Sequence, residues 1–387
     1  GLCLHIASFF RPLDFLCVFG GFAMGVLHRA CRRLRRPGPP RGGVWQTLAS
    51  MAPRLDCAVV GLGQGRALMV GGCTKHPSAC RLGEFLSSAV IFDGLTNQWT
   101  EVPGGMSIRR HGCSGAWDPD TRRAYVLGGE YISQTPRASA GGLLEWFDPE
   151  TAKWHPGPSK NLALYAFPTF CWLAGRLVVM GQDMLHDCPV AQALNLARPE
   201  LGWTSVPLPV MDLTATSFTV WRGALVIAGG RGSRSSRSSE AFRFRHHSPE
   251  ALGRDGWADG SWEKFPDVQV ARDGASMCTL NDRVCITGGL EVNAALGHFG
   301  VPEFTKSCEV LELGSTSDPV GPQRDMHWRT VDFVMPVGVH AHAAVPLTGL
   351  LCPWTEELHQ STGQEPAAAL LAAATGSTPT TPPRALT

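Results

Sequence analysis

Short apolar runs that close on a pair of glycines recur along this chain. The pairs are Gly20-Gly21, Gly71-Gly72, Gly128-Gly129, Gly229-Gly230 and Gly288-Gly289, with a decayed copy at Gly181-Gln182. Their first glycines stand 51, 57, 53, 48 and 59 residues apart. A tryptophan trails each one: Trp45, Trp99, Trp154, Trp203, Trp262 and Trp328. From Trp45 onward, each tryptophan lies 26 to 29 residues before the next glycine of the series. A period of about 50 residues with this punctuation predicts a radial β-repeat, because a single four-stranded sheet cannot bury both its faces alone.

Each unit reads as four strands. The first is small and apolar, as in Gly112-Cys113-Ser114-Gly115-Ala116-Trp117 or Ala275 to Leu280; such residues suit a strand crowded toward the axis of a ring. A turn follows (118–121, 281–282), then a strand ending in the glycines, where the backbone can take positive φ or approach a neighbour closely. The third strand ends in an aromatic or apolar residue seven before the tryptophan: Phe92 to Trp99, Phe147 to Trp154, Leu196 to Trp203. Asp-Gly and Asp-Pro supply the turn between them. The tryptophan opens the outer strand, where a large ring packs between adjacent sheets.

Two units are stretched. Residues 231–239 form a Ser/Arg run that cannot pack and reads as a mobile loop, and 314–323 interrupt the last step. Val339 to Cys352 reads as two further strands without a glycine pair. Residues 366–375 read as a short helix, and 377–387 as a Thr/Pro-rich tail. The expected domains are 1–41 as a divergent first blade or appended segment, 42–352 as the repeat body, and 353–387 as helix and tail.

An apolar strand closed by Gly-Gly, an aromatic, six residues and a tryptophan, with arginine often opening the next unit, resembles the kelch repeat over residues 13 to 352. The resemblance implies an all-β, kelch-type β-propeller of four antiparallel strands per blade. Six blades fit the copies, and seven if Val339 to Cys352 opens another. It further implies a non-catalytic module that binds a protein or peptide on one face. In relatives that capture acidic peptides, the arginine before the inner strand lines the recognition surface; the matching positions here are Arg54, Arg109 or Arg110, and Arg272. Guanidiniums around a shallow bowl bind carboxylates bidentately. The alternative reading is that each arginine caps a neighbouring turn.

Composition narrows the remainder. A net charge of +1 in an even mixture steers the chain toward neither nucleic acid nor an acidic surface. The apolar run from Leu13 to Leu27 is shorter than the roughly 20 residues that span a bilayer, and the arginines between Arg29 and Arg41 follow it, the reverse of a signal peptide. No membrane association is expected. The 13 cysteines are odd in number and irregular in spacing, and Cys17 and Cys285 fall in the slot that Leu68, Tyr125, Val178 and Val226 fill elsewhere. Cysteine there is a small hydrophobe, which points to a reducing, cytoplasmic setting.

Candidate chemistry is sparse. The enzymatic alternative is a propeller of the copper-radical (galactose) oxidase or sugar-modifying type. Copper-radical sites use a Tyr-His pair and a tyrosine linked to cysteine, whereas Tyr125, Tyr131 and Tyr165 are none of them followed by histidine. His340 and His342 share a strand face, and Cys73, His76 and Cys80 offer three soft ligands on one loop, short of the four that close a structural zinc site. The expectation is a monomeric propeller with no cofactor and no catalytic or metal-binding residues, partnered by a protein or peptide of acidic character.

Overall fold

The computed structural model describes residues 10–19, 22–23, 26–27, 32–34, 45–52, 54–74, 85–130, 144–163, 165–183, 185–186, 188–209, 215–231, 237–246, 260–280, 282–292, 302–313, 326–331 and 343–353. The chain separates into two compact units. Of the one made of Gly1–Leu13 and Leu350–Thr387, only strand ends are described. The other, Asp14–Gly349, is a β-propeller of four-stranded antiparallel blades.

Five blades follow one another in chain order. Blade 2 is Ala58–Gly63, Arg66–Val70, Ser88–Asp93 and Gln98–Gly105. Blade 3 is Ser114–Asp118, Arg123–Leu127, Leu144–Asp148 and Lys153–Pro156. Blade 4 is Tyr165–Leu173, Arg176–Asp183, Cys188–Asn195 and Thr204–Ser205. Blade 5 is Ser217–Trp221, Ala224–Ala228, Ala241–His246 and Gly260–Phe265. Blade 6 is Ser276–Leu280, Arg283–Thr287, Cys308–Leu313 and Met326–Thr330. A sixth sheet, here blade 1, orders Ala343–Pro353, Phe10–Phe19, Arg32–Leu34 and Trp45–Thr47. Residues 339–352, read as two strands that would open a seventh blade, therefore supply one described strand. It takes the position that the inner strand holds in the other five.

The second strand of each blade is a continuous apolar run rather than an alternating one, because neighbouring blades cover both its faces. Ala124 and Val126 join the core shared with blade 2, while Tyr125 and Leu127 join the core shared with blade 4. Further cores of the same kind fill the seams between blades 4 and 5 and between blades 5 and 6. Cys285 and Cys171 are buried in this way, and burial pushes both thiols up to about 12. Cys285 behaves as the small hydrophobe the repeat alignment asks for, while Cys171 lies in the inner strand of blade 4. The inner strands of blades 2 to 6 line an axial cavity of about 550 Å³, walled by residues such as Gly61, Ser114, Gly115, Thr219 and Ser276.

Four of the repeat tryptophans stitch successive blades together, while the buried Trp154 indole N–H has no hydrogen-bond partner. Trp99 donates its indole N–H to Ala49 O (2.9 Å), Trp203 to Pro158 O (2.9 Å), Trp262 to Pro207 O (2.9 Å) and Trp328 to Pro266 O (2.8 Å). Each acceptor lies just beyond the outer strand of the preceding blade. Phe92, Phe147 and Phe244 sit directly across from Trp99, Trp154 and Trp262, with ring centroids 4.9, 5.2 and 5.2 Å apart. In blade 4 the seven-residue step is corrected. Ala193 pairs with Thr204, so the register carried one residue on sets Leu194, not Leu196, opposite Trp203. A 3₁₀ turn at Pro199–Leu201 takes up the two extra residues.

Trp328 is 2% exposed in the core between blades 5 and 6. Replacing it with alanine is expected to cost about 3–5 kcal/mol, measured by denaturant unfolding. A loss under about 1 kcal/mol would show that the repeat tryptophans are not part of the blade cores.

Candidate functional site

Blade geometry divides the connections into two sets. The first and second strands are joined by tight turns at 64–65, 119–122, 174–175, 222–223 and, in blade 6, through the turn residue Asp282. The second and third strands are joined by long segments at 71–87, 128–143, 229–240 and 288–307, all at the opposite end of the sheets. The segments that lead into each inner strand emerge at the same end as the long connections. Functional residues concentrate on loops held by a rigid scaffold, so this long-connection face is the candidate surface.

The structure brings the predicted arginines to this end of the blades, and it turns three of them inward. Arg54, Arg110 and Arg272 are 4%, 0% and 0% exposed. Each guanidinium donates to the carbonyl of the first glycine of its own blade: Arg54 to Gly71 O (3.1 Å), Arg110 to Gly128 O (3.3 Å) and Arg272 to Gly288 O (2.9 Å). Each also bonds the third strand. Arg54 reaches Ser88 O and Oγ (2.8 and 2.9 Å), Arg110 pairs with Glu145, and Arg272 pairs with Glu309 and with Ser307 Oγ (2.7 Å). Burial pulls the pKa of Arg54 and Arg272 below the ordinary arginine value. The structure places all three guanidiniums inside the blades, each bonded to its own blade, with Arg54 Nε left without a hydrogen-bond partner. Arg109, next in sequence to Arg110, is exposed.

The partners of the arginines were missed at the level of sequence. Glu145 and Glu309 each stand two residues before the third-strand hydrophobe, Phe147 or Leu311. Their carboxylates also accept backbone N–H groups of the incoming segment, from Ser107 (2.8 Å) and from Gln269 and Val270 (2.7 and 3.1 Å). Blade 4 makes a neutral version of the same clamp. Tyr165 replaces the arginine and Gln192 the glutamate, with Tyr165 Oη donating to Gln192 Oε1 (3.1 Å) and Ala163 N–H donating to the same oxygen (2.9 Å). A glutamate two residues before the third-strand hydrophobe was the available signal.

Two residues beyond each arginine position the chain takes positive φ in every one of blades 2 to 6. Asp56, Gly112, Phe167, Ala215 and Gly274 have φ of 52, 64, 49, 54 and 58°. Adjacent blades are laced through this position: Gly112 N–H donates to Asp56 O (2.7 Å), Phe167 N–H to Gly112 O (3.1 Å) and Gly274 N–H to Ala215 O (3.0 Å). Phe167 is 47% exposed and sits edge-on to the buried His111, at 5.6 Å between ring centroids. His111 stacks at a tilt on Phe85 (4.4 Å) and lies between two carboxylates, with Nδ1 3.7 Å from Asp56 and Nε2 3.6 Å from Glu130. Burial lowers its pKa, but the two carboxylates outweigh burial and push the imidazole up to about 9. The pocket favours positive charge.

The other candidate residues divide between the core and the undescribed segments. Tyr125 and Tyr165 belong to the core between blades 3 and 4. Tyr131, His76, Cys80, His340, His342 and the 366–375 segment lie outside the described residues. Of the Ser/Arg run, 232–236 are likewise undescribed, but its ends are held: Arg231 and Arg237 form a bridge and both pair with the buried Asp273, at 2.9 and 3.4 Å. The expectation of a mobile loop over all of 231–239 is corrected to that extent. No helix among the described residues is long and apolar enough to cross a membrane.

Comparison with known proteins agrees with this architecture. No family model matches the chain. Over 212 residues, 54% of the chain, it is 22% identical to Kelch repeat protein M-T8 of Myxoma virus (strain Lausanne). The match spans only 37% of that protein's length. The solved structure of YjhT is similar in fold, with a TM-score of 0.52 and 14% identity over 78% of this chain and 95% of that one. With its glycine–tryptophan units folded as four-stranded blades, the chain is a β-propeller that is similar in sequence to a kelch repeat protein.

Proposed function

We propose that the chain is a non-catalytic protein-interaction module that takes a protein or peptide partner on its long-connection face. The observation that carries this reading is the asymmetry of the two ends. Tight turns join first and second strands at one end, where the third-to-fourth connections of blades 5 and 6 (247–259 and 314–325) are long, while the other end carries every long connection between second and third strands. Contact surfaces built from loops on a rigid frame follow that plan. Exposed Arg109 and Phe167 stand at this end, one offering a planar cation for carboxylates and the other an apolar anchor. The sequence likeness to a kelch repeat protein fits the same reading without identifying the partner.

Site-specific photocrosslinking in cells tests it. A photoreactive side chain at position 109 or 167 is expected to trap one recurring protein partner. The same group at Leu95, which is exposed on the third-to-fourth-strand turn at the other end, is expected to trap none. Partner capture from position 95 alone, or from no position, would overturn the assignment of this face.

A further inference from the structure

We propose that Asp56, Cys73 and His111 form a binding site for a divalent cation of the zinc class at the seam between blades 2 and 3. One ligand atom from each of these residues lies within 4.8 Å of the other two. Together they offer carboxylate oxygen, thiolate sulfur and imidazole nitrogen, the donor types that zinc takes. Bond lengths of about 2.0–2.3 Å put tetrahedral ligand atoms roughly 3.3–3.8 Å apart, so about 1 Å of closure brings the set onto an ion. Asp56 and His111, at 3.7 Å, already stand at that spacing.

Two independent features point to a ligand. His111 is 2% exposed, and its Nδ1, 3.7 Å from Asp56, has no hydrogen-bond partner. A buried imidazole nitrogen left unpaired is costly, and a bound cation satisfies it. Its other nitrogen faces Glu130, the outer carboxylate that in metal sites orients the imidazole and raises its basicity.

The second feature is how the trio departs from the repeat. The three positions recur at each seam: the positive-φ residue, the residue after the glycine pair, and the residue after the next blade's arginine. Between blades 5 and 6 they are Ala215, Arg231 and Asp273, and the polar members there form an ion pair at 2.9 Å. Between blades 3 and 4 they are Gly112, Glu130 and Ala166. Only between blades 2 and 3, among these described seams, are all three metal-ligating types. Asp56 holds φ of 52° where Gly112 and Gly274 stand in blades 3 and 6. Phe167 and Ala215 keep side chains at the same left-handed position in blades 4 and 5, and Asp56 alone among the five places a carboxylate there. Three protein ligands leave one coordination position for a water or a further ligand.

Purified full-length chain, stripped with chelator and titrated with Zn²⁺, is expected to bind one equivalent. With Co²⁺ it is expected to show the intense near-ultraviolet absorption of a cobalt–thiolate bond. Cys73→Ser should abolish that band. Asp56→Gly should remove stoichiometric binding while the chain folds and melts at least as well as wild type, because glycine relieves the left-handed strain. Glu130→Gln should weaken binding about 10–100-fold. The proposal is overturned if the wild-type chain binds no stoichiometric Zn²⁺, or if both Zn²⁺ affinity and the thiolate band persist in the Cys73→Ser and Asp56→Gly variants.

Discussion

Arg272→Ala is expected to destabilise the propeller by about 3–5 kcal/mol, because it strips a buried carboxylate of its partner. Arg272 and Glu309 are both fully buried, and every donor of the guanidinium is committed. Removing it leaves Glu309 charged in the core, held only by two backbone N–H groups. It also frees the Gly288 carbonyl at the bend where the chain leaves the second strand. A double substitution, Arg272→Met with Glu309→Leu, should recover much of that loss, since a well-packed apolar pair often matches a buried ion pair in stability. Urea unfolding of both variants separates the cases. If Arg272→Ala unfolds at the wild-type midpoint yet loses a bound acidic partner, the arginine is a recognition residue and its burial is misassigned.

The repeat was legible because its rules are local and repeated. A glycine pair forced to positive φ, a tryptophan at a fixed step and a doubly covered second strand leave a signature in every unit. Where a unit breaks the rule, the break itself was visible: Gln182 replaces the second glycine, and in the structure the strand runs straight on to Asp183, paired on both sides. The direction of the arginines was not legible. Arg110 and Arg272 find their carboxylates 35 and 37 residues later, and nothing local tells a clamp from an exposed hook. The Tyr165–Gln192 pair shows why: two substitutions at distant positions preserve one piece of geometry, and neither means anything alone. The same holds for Asp56, Cys73 and His111. They come from the incoming segment of one blade, its long connection and the next blade's incoming segment, so only the seam brings them together. Cys73 stood out in the sequence for its neighbours His76 and Cys80; the structure gives it different companions.

Gly289→Ala is expected to cost about 3–5 kcal/mol, of which only about 1–2 kcal/mol is the usual penalty for a side chain at positive φ. Gly289 has φ of 100°, and a Cβ there would stand 2.7 Å from Asp273 O and 3.0 Å from the Ala275 Cβ. Both obstacles belong to the segment leading into the inner strand of the same blade, which is already bonded to the blade before it through Arg272 O and Gly274 N–H. The backbone cannot yield without opening that seam. Gly223 is the internal control. It has φ of 71°, but a Cβ there meets nothing within 4 Å, so Gly223→Ala should cost only the conformational part, about 1–2 kcal/mol. The difference between the two variants, read from paired denaturant curves, isolates the close backbone approach. Equal losses would mean that the glycine pair serves turn geometry alone, and that the blades do not meet at the second glycine as tightly as the structure has them.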